Sequence, residues 1–195
     1  MKFQHVLLPP EELPKKWYNM IPDLPEPLPP EMDPPERPSR IELSRKITLK
    51  PLINQSAPQD RWIAIPEDIR DLWIKLGRPR PLSRATKLER FLKTPAKIYY
   101  KREDLSPTGS FKLNTALAQV YYAVKEGAER LISATAAGQW GAAIASACGL
   151  GGVSCTIYFV RFSCETRPYR MIQMLMSGAD VRPSPSDKTE IGRRY

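Results

Sequence analysis

The sequence predicts an α/β protein whose strands are joined by parallel crossovers, and three observations predict it. Beyond residue 95, short runs of β-branched and aromatic residues alternate with stretches of helical apolar spacing. The order strand, helix, strand, helix, strand, helix, strand is the pattern of right-handed crossovers onto a parallel sheet. Proline and glycine are also segregated. Thirteen of the 21 prolines fall in the first sixty residues, and nine of the ten glycines fall at or after Gly109. No internal repeat is visible. Two regions are expected: a proline-rich wrapping arm over 1–65 and an α/β portion over 66–195.

Taken in order, residues 1–40 read as an extended, polyproline-like arm, with Trp17-Tyr18-Asn19 as its anchor. Residues 66–76 read as a short amphipathic helix that Pro66 opens and Gly77 ends. Ile98, Tyr99 and Tyr100 mark a strand over 96–101. The spacing of Leu113, Ala116, Leu117, Val120, Tyr121 and Val124 predicts a helix over 110–126, stopped by Gly127. A strand is expected over 131–135, then a small-residue helix over 138–147 and a turn over 149–152. The continuous apolar run over 153–160 predicts a strand, 164–177 a helix and 179–182 a last strand.

Composition removes several functions. Thirty Lys and Arg against 21 Asp and Glu give a net charge of +9, which raises nucleic acid as a partner. The basic runs are short and scattered (Lys15-Lys16, Arg78-Pro79-Arg80, Arg193-Arg194), so a soluble enzyme with a cationic face for anionic ligands is expected instead. Cys148, Cys155 and Cys164 are odd in number and lack a C-x-x-C pair, which fits reduced thiols in a cytosolic protein rather than a disulfide framework or zinc site. The apolar start is too short for a secretory leader, and Pro9-Pro10 interrupts it. No apolar run approaches the length of a membrane span. The single histidine, His5, sits in an expected mobile start, which removes histidine triads, cysteine–histidine dyads and histidine metal sites. Catalysis is left to lysine, carboxylates, backbone amides or a cofactor.

Two segments carry chemistry. In Lys101-Arg102-Glu103-Asp104-Leu105-Ser106-Pro107-Thr108-Gly109-Ser110-Phe111-Lys112-Leu113-Asn114-Thr115-Ala116, a strand runs through a Ser-Pro-Thr-Gly-Ser loop into a helix with Lys112 in its first turn. The positive end of a helix, and partial burial, favour the neutral amine that attack on an aldehyde requires. On the residues alone, a solvated lysine that merely opens a helix is the stronger reading. Thr135-Ala136-Ala137-Gly138-Gln139-Trp140-Gly141 places small residues where a helix begins. Its amides would suit a carboxylate or phosphate, and its small side chains would equally suit close helix–sheet packing. Gly149-Leu150-Gly151-Gly152 lacks the spacing of a dinucleotide loop and reads as a helix cap and turn.

Both segments resemble those of fold-type II pyridoxal-phosphate enzymes, specifically the tryptophan synthase β family. Arg78-Pro79-Arg80-Pro81-Leu82, Lys101 to Ala116, and Ala137-Gly138-Gln139-Trp140-Gly141 are similar to three of its motifs. Lys16-Trp17-Tyr18-Asn19 and Arg167-Pro168-Tyr169-Arg170-Met171 resemble its longer, second branch. The resemblance covers nearly the whole chain. It implies parallel-sheet three-layer units of the fold-type II architecture, incomplete here, with this sequence as the amino-terminal half. The family's glycine-rich phosphate loop would lie in the other half.

By that resemblance, Lys112 holds pyridoxal 5'-phosphate as a Schiff base and shuttles protons at the substrate α-carbon. The loop Thr135, Ala136, Ala137, Gly138 and Gln139 receives the amino-acid carboxylate, with Gln139 also near the cofactor's phenolic oxygen. Asn114 has a supporting role, and no metal is implied. The implied activity is that of a carbon–oxygen lyase, replacing the hydroxyl of L-serine with indole to give L-tryptophan and water. A homodimer, a possible α-type subunit, a cytoplasmic location and an inactive or nearly inactive isolated chain are expected with it. Two positions depart from the family. Ala134 stands where the family has a proton-carrying glutamate, and Ala136 where it has glycine. A related serine or threonine deaminase and a catalytically dead cationic binding module are the alternatives.

Overall fold

The computed structural model describes residues 5–29, 40–56 and 60–194. In chain order the elements are β1 (His5–Val6), β2 (Lys16–Tyr18), α1 (Arg40–Ile47), α2 (Lys50–Ser56), β3 (Trp62–Ala64) and α3 (Glu67–Lys75). There follow β4 (Leu82–Arg84), α4 (Thr86–Phe91), β5 (Tyr99–Lys101), α5 (Lys112–Lys125), β6 (Arg130–Thr135) and α6 (Gln139–Gly151). The last are β7 (Ser154–Val160), α7 (Arg161–Thr166), α8 (Pro168–Met176), β8 (Asp180–Ser184) and α9 (Glu190–Arg194). They fall into two compact units: Pro14–Glu67, and Asp68 onward together with the described residues up to Leu13.

In the smaller unit, β2 pairs antiparallel with β3, matching Trp17 to Ile63 and Tyr18 to Trp62. The Tyr18 and Trp62 rings sit 4.8 Å apart in a tilted arrangement. Asn19 is buried and donates through Nδ2 to the Asp60 carbonyl at 3.1 Å. Residues 1–4, 30–39 and 57–59 of the expected arm lie outside the described residues.

The larger unit carries the parallel sheet β6-β7-β8, in register from Arg130↔Ser154 to Thr135↔Phe159 and from Thr156↔Asp180 to Val160↔Ser184. Ile157 and Phe159 are fully buried on one face of β7. Helix α5 buries Leu113, Ala116, Leu117, Val120 and Ala123, a continuous helical stripe, as its spacing predicts. Helix α6 buries residues around most of its circumference: Gly141, Ala142, Ala143, Ile144, Ala145, Ala147 and Cys148. Side chains this small let it contact α5, α8, β6 and β7 together. Truncating Ile157 to alanine in such a core costs about 2–5 kcal/mol. All three cysteines are free and buried. The Cys148 thiol is pushed well above its ordinary value by its hydrogen bond with Cys155 and by burial.

Four expectations are corrected. Strand β5 does not join the parallel sheet; it pairs antiparallel with β4, in a sheet ordered β1-β4-β5. Its aromatic content marks it as a strand but does not choose its partner. Tyr99 and Tyr100 stay 44% and 48% exposed, unlike the buried strands of parallel sheets. Residues 149–151 are helix rather than turn, and Gly152 alone takes the left-handed cap. A Cβ on Gly149 would lie 2.9 Å from the Ser177 carbonyl oxygen, and one on Gly151 2.9 Å from Val120 Cγ1. These glycines serve close packing. The single helix expected over 164–177 is two, because Pro168 forces Arg167 out of the helical region (φ −131°, ψ 62°). His5 is not in a loose start: it lies in β1 opposite Ser83, and its Nδ1 is 2.8 Å from Ser83 Oγ.

Among the described residues, no helix is long and apolar enough to cross a membrane. No group of three or more His, Cys, Asp or Glu among them is placed to hold a metal ion.

Candidate active site

The segment entering α5 is fixed by polar side chains. The Gly109 amide closes a turn on the Ser106 carbonyl at 2.7 Å, with Gly109 at φ +66°. Ser106 Oγ and Thr108 Oγ1, both buried, lie 3.4 Å apart. Ser110 Oγ then accepts the Lys112 amide at 3.2 Å, satisfying one of the orphan donors where the helix opens.

Behind this loop stands a polar network built around one buried guanidinium. Arg80 is 2% exposed; it donates to the Leu76 carbonyl at 3.0 Å and meets Glu103 Oε2 at 3.5 Å. Lys101 Nζ donates to the Arg80 carbonyl. Asn114 Nδ2 donates to the same Glu103 oxygen at 3.3 Å, and the Asn114 carbonyl accepts Trp73 Nε1 at 3.0 Å. Arg78 stacks over the Trp73 ring at 4.7 Å, and burial lowers its pKa against the opposing pull of Glu103. The network anchors the first turn of α5 from one side.

Lys112 is half-buried, and its Nζ donates to Gln139 Oε1 at 2.9 Å. Two candidate residues far apart in sequence therefore meet at the openings of α5 and α6. Gln139 is the first residue of α6, following Gly138 at φ +90°. Thr135 is buried, and its Oγ1 accepts the Gly138 amide at 3.2 Å, closing the loop on itself. A Cβ on Gly138 would lie 2.7 Å from Arg170 Cβ and 3.2 Å from Phe159 Cζ, so glycine is required by both conformation and space. A Cβ on Gly141 would come within 2.7 Å of Thr135 Cγ2 and of Met174 Cε. Trp140 Nε1 donates to Ser133 Oγ at 2.8 Å, tying α6 back to β6. Ala136, Ala137 and Gln139 remain exposed. The loop thus offers open backbone beside the Lys112 amine.

Of the sequence-identified residues, Lys112 and Gln139 are in contact, and Thr135, Ala136, Ala137 and Gly138 form the adjoining loop. Asn114 is turned elsewhere, to Glu103. Ala134 is exposed on β6, in register with Tyr158 of β7, which is itself in register with Arg182 of β8. Sequence reading missed Arg170 and Gln173, which reach the lysine loop from α8. The signal available was their i, i+3 spacing on one face of α8.

The residues present fit a pyridoxal-phosphate aldehyde. A half-buried primary amine faces a neutral amide rather than a carboxylate, next to small residues that leave backbone accessible.

Comparison with known proteins agrees. Residues 75–194 match the family model described as pyridoxal-phosphate dependent enzyme. The chain is 50% identical to tryptophan synthase beta chain 2 of Pyrococcus furiosus, over 97% of this chain and 43% of the relative. It is 51% identical to tryptophan synthase beta chain 2 of Methanothermobacter thermautotrophicus, over 97% of this chain and 44% of the relative. It is 50% identical to tryptophan synthase beta chain 1 of Sulfurisphaera tokodaii, over 93% and 43% respectively. The chain thus spans less than half the length of these curated relatives. A crystal structure of a pyridoxal 5'-phosphate-dependent aspartate racemase superposes with a TM-score of 0.50 at 23% identity, covering 61% of this chain and 39% of that one, a likeness of fold alone. With its lysine at the mouth of α5 and its family match running from α3 to α9, the chain belongs to the pyridoxal-phosphate-dependent enzymes.

Proposed function

We propose that the chain is the amino-terminal, cofactor-holding part of a tryptophan synthase β-type enzyme, which joins L-serine to indole and releases L-tryptophan and water. The observation that carries the proposal is the 2.9 Å contact between Lys112 and Gln139. The names and identity of the relatives support the same reaction. Pyridoxal phosphate, when bound, supplies an electron sink for charge developing at the substrate α-carbon.

The chain's own residues do the rest. Lys112 Nζ anchors the aldehyde end of the cofactor, and takes and returns the proton of the α-carbon. Gln139 orients that amine. The open amides of Ala136, Ala137 and Gln139 receive the substrate carboxylate, because the Gly138 amide is already held by Thr135. Asn114 acts indirectly, fixing the first turn of α5 through Glu103. At Ala134 no side chain can exchange a proton, so loss of the serine hydroxyl depends on Lys112. The proposal extends to a homodimer and to an α-type partner, in keeping with the beta-chain names of the relatives. It extends also to a cytoplasmic location, which three free buried thiols suit.

The isolated chain is expected to be inactive or nearly so. The test is a chimera in which the chain is continued by the remainder of the Pyrococcus furiosus relative. Tryptophan formed from L-serine only when indole is present supports the reading. Release of pyruvate from serine at the same rate with and without indole would replace it with a deaminase.

A further inference from the structure

Resting on the cofactor reading above, we propose that Arg170, assisted by Gln173, is a positioning residue that holds the loop leading to Lys112 against the loop leading to Gln139. One side chain touches both. The stem of Arg170 lies against Gly138, since a Cβ built there would be 2.7 Å from Arg170 Cβ and 2.9 Å from Arg170 Cγ. Its head reaches the other loop, where Nη1 donates to the Thr108 carbonyl at 3.1 Å. The same Nη1 donates to Gln173 Oε1 at 3.1 Å, and Gln173 Nε2 donates to the Pro107 carbonyl at 3.4 Å. Two residues of α8, one turn apart, thus grip two consecutive carbonyls of the lysine loop.

Arg170 directs its charge at neutral oxygens of the loop and of Gln173. Charge-assisted bonds of this kind are stronger and shorter than neutral ones. The gripped carbonyls belong to the two central residues of the turn that Gly109 closes on Ser106, and Ser110, whose hydroxyl accepts the Lys112 amide at 3.2 Å, follows directly. A shift at Thr108 is therefore delivered to the start of α5. On the other side, the Arg170 stem fills the space a side chain at 138 would take, so it packs against the residue directly before Gln139. Capture of an aldehyde by an amine depends steeply on such placement. Arg170 touches no reacting atom; it acts through the two loops.

The test uses the whole chain in wild-type form and as Arg170→Ala, Arg170→Lys and Gln173→Ala. Amide hydrogen exchange is followed across 106–115 and, for reference, across β6, α6 and β7. Arg170→Ala should speed exchange at Gly109 and Lys112 by at least about tenfold, the scale of one charge-assisted hydrogen bond, with the reference elements unchanged. Arg170→Lys keeps a cationic donor and should recover most of the protection. Unchanged exchange at Gly109 and Lys112 overturns the inference. So does a uniform acceleration over all elements, which would mark Arg170 as an ordinary stabilising residue. If Arg170→Ala does not fold, Gln173→Ala must show the same local pattern at smaller amplitude, or the inference falls. A second readout is borohydride trapping of pyridoxal phosphate, expressed as labelling of Lys112 relative to Lys125. That ratio should drop about tenfold in Arg170→Ala and be largely restored in Arg170→Lys. A wild-type chain that never labels Lys112 above Lys125 defeats the cofactor reading instead, and the exchange pattern then decides the clamp by itself.

Discussion

The two loops that meet at Lys112 are built by opposite means. The lysine loop and the first turn of α5 are held by polar side chains: Ser106, Thr108 and Ser110 within the loop, and the Arg80–Glu103–Asn114 network behind it. The loop before Gln139 is held by the near-absence of side chains. Gly138 and Gly141 leave room for Arg170, Phe159, Thr135 and Met174, and one hydroxyl closes the turn. One loop is stabilised by bonds that substitution removes, the other by space that substitution fills. Damage to the first should therefore appear as buried unpaired charge, and damage to the second as overpacking.

The largest effect is expected at Glu103. Glu103→Ala leaves the guanidinium of Arg80, 2% exposed, without a carboxylate, and should lower unfolding free energy by about 3–5 kcal/mol in denaturant melts. A loss under about 1 kcal/mol, the worth of a surface pair, would show that the network is not the anchor described. In the chimera, Ala134→Glu tests the chemical side of the contrast. Restoring a proton carrier should raise aminoacrylate formation from L-serine at least about a hundredfold, with Ala136→Gly added if the methyl group crowds the carboxylate. No gain would mean that another group carries that proton.

Gly138→Ala should destabilise by about 2–3 kcal/mol, since it combines a left-handed backbone with a Cβ 2.7 Å from Arg170 Cβ. Substituting Arg170 with alanine in the same chain removes only the Cγ contact at 2.9 Å and should recover little of the loss, since Cβ stays in place; Arg170→Gly should relieve the collision but not the backbone strain. The smallest effect lies away from both loops. The paired hydrogen bonds from Arg84, helped by the Ile98 amide, hold the Glu89 carboxyl below its ordinary range. A carboxyl with a depressed folded-state pKa adds stability that is complete above its unfolded pKa and is lost as pH falls through the folded one. Wild type should thus lose stability on acidification through that window, and Glu89→Gln should remove this part of the slope. An unchanged slope would count against the pairing.

The same contrast explains what the sequence made legible. Helix α5 and strands β6 and β7 are written in local periodicity, so Leu113, Ala116, Leu117 and Val120, and the run from Ser154 to Val160, identify them directly. Lys112 and the 135–139 loop are found through their motifs, and their meeting follows from both lying at helix openings. Features that depend on long-range contact are not legible. The antiparallel partner of β5, the packing role of Gly149 and Gly151, and the Arg170–Thr108 bond across 62 residues each depend on neighbours that no local pattern names. Asn114 shows the intermediate case. Its place in the motif is plain, but its side chain turns to Glu103, a direction that spacing along the helix leaves open.

The central claim is that Lys112 is the amine that holds the cofactor. The direct measurement is to incubate the 195-residue chain with pyridoxal phosphate, reduce with borohydride, and map the added mass by peptide. The account predicts that the label concentrates on the peptide containing Lys112, that Lys112→Ala abolishes it, and that Lys125→Ala leaves it unchanged. Label spread evenly over the exposed lysines, or persisting at full yield in Lys112→Ala, would contradict it.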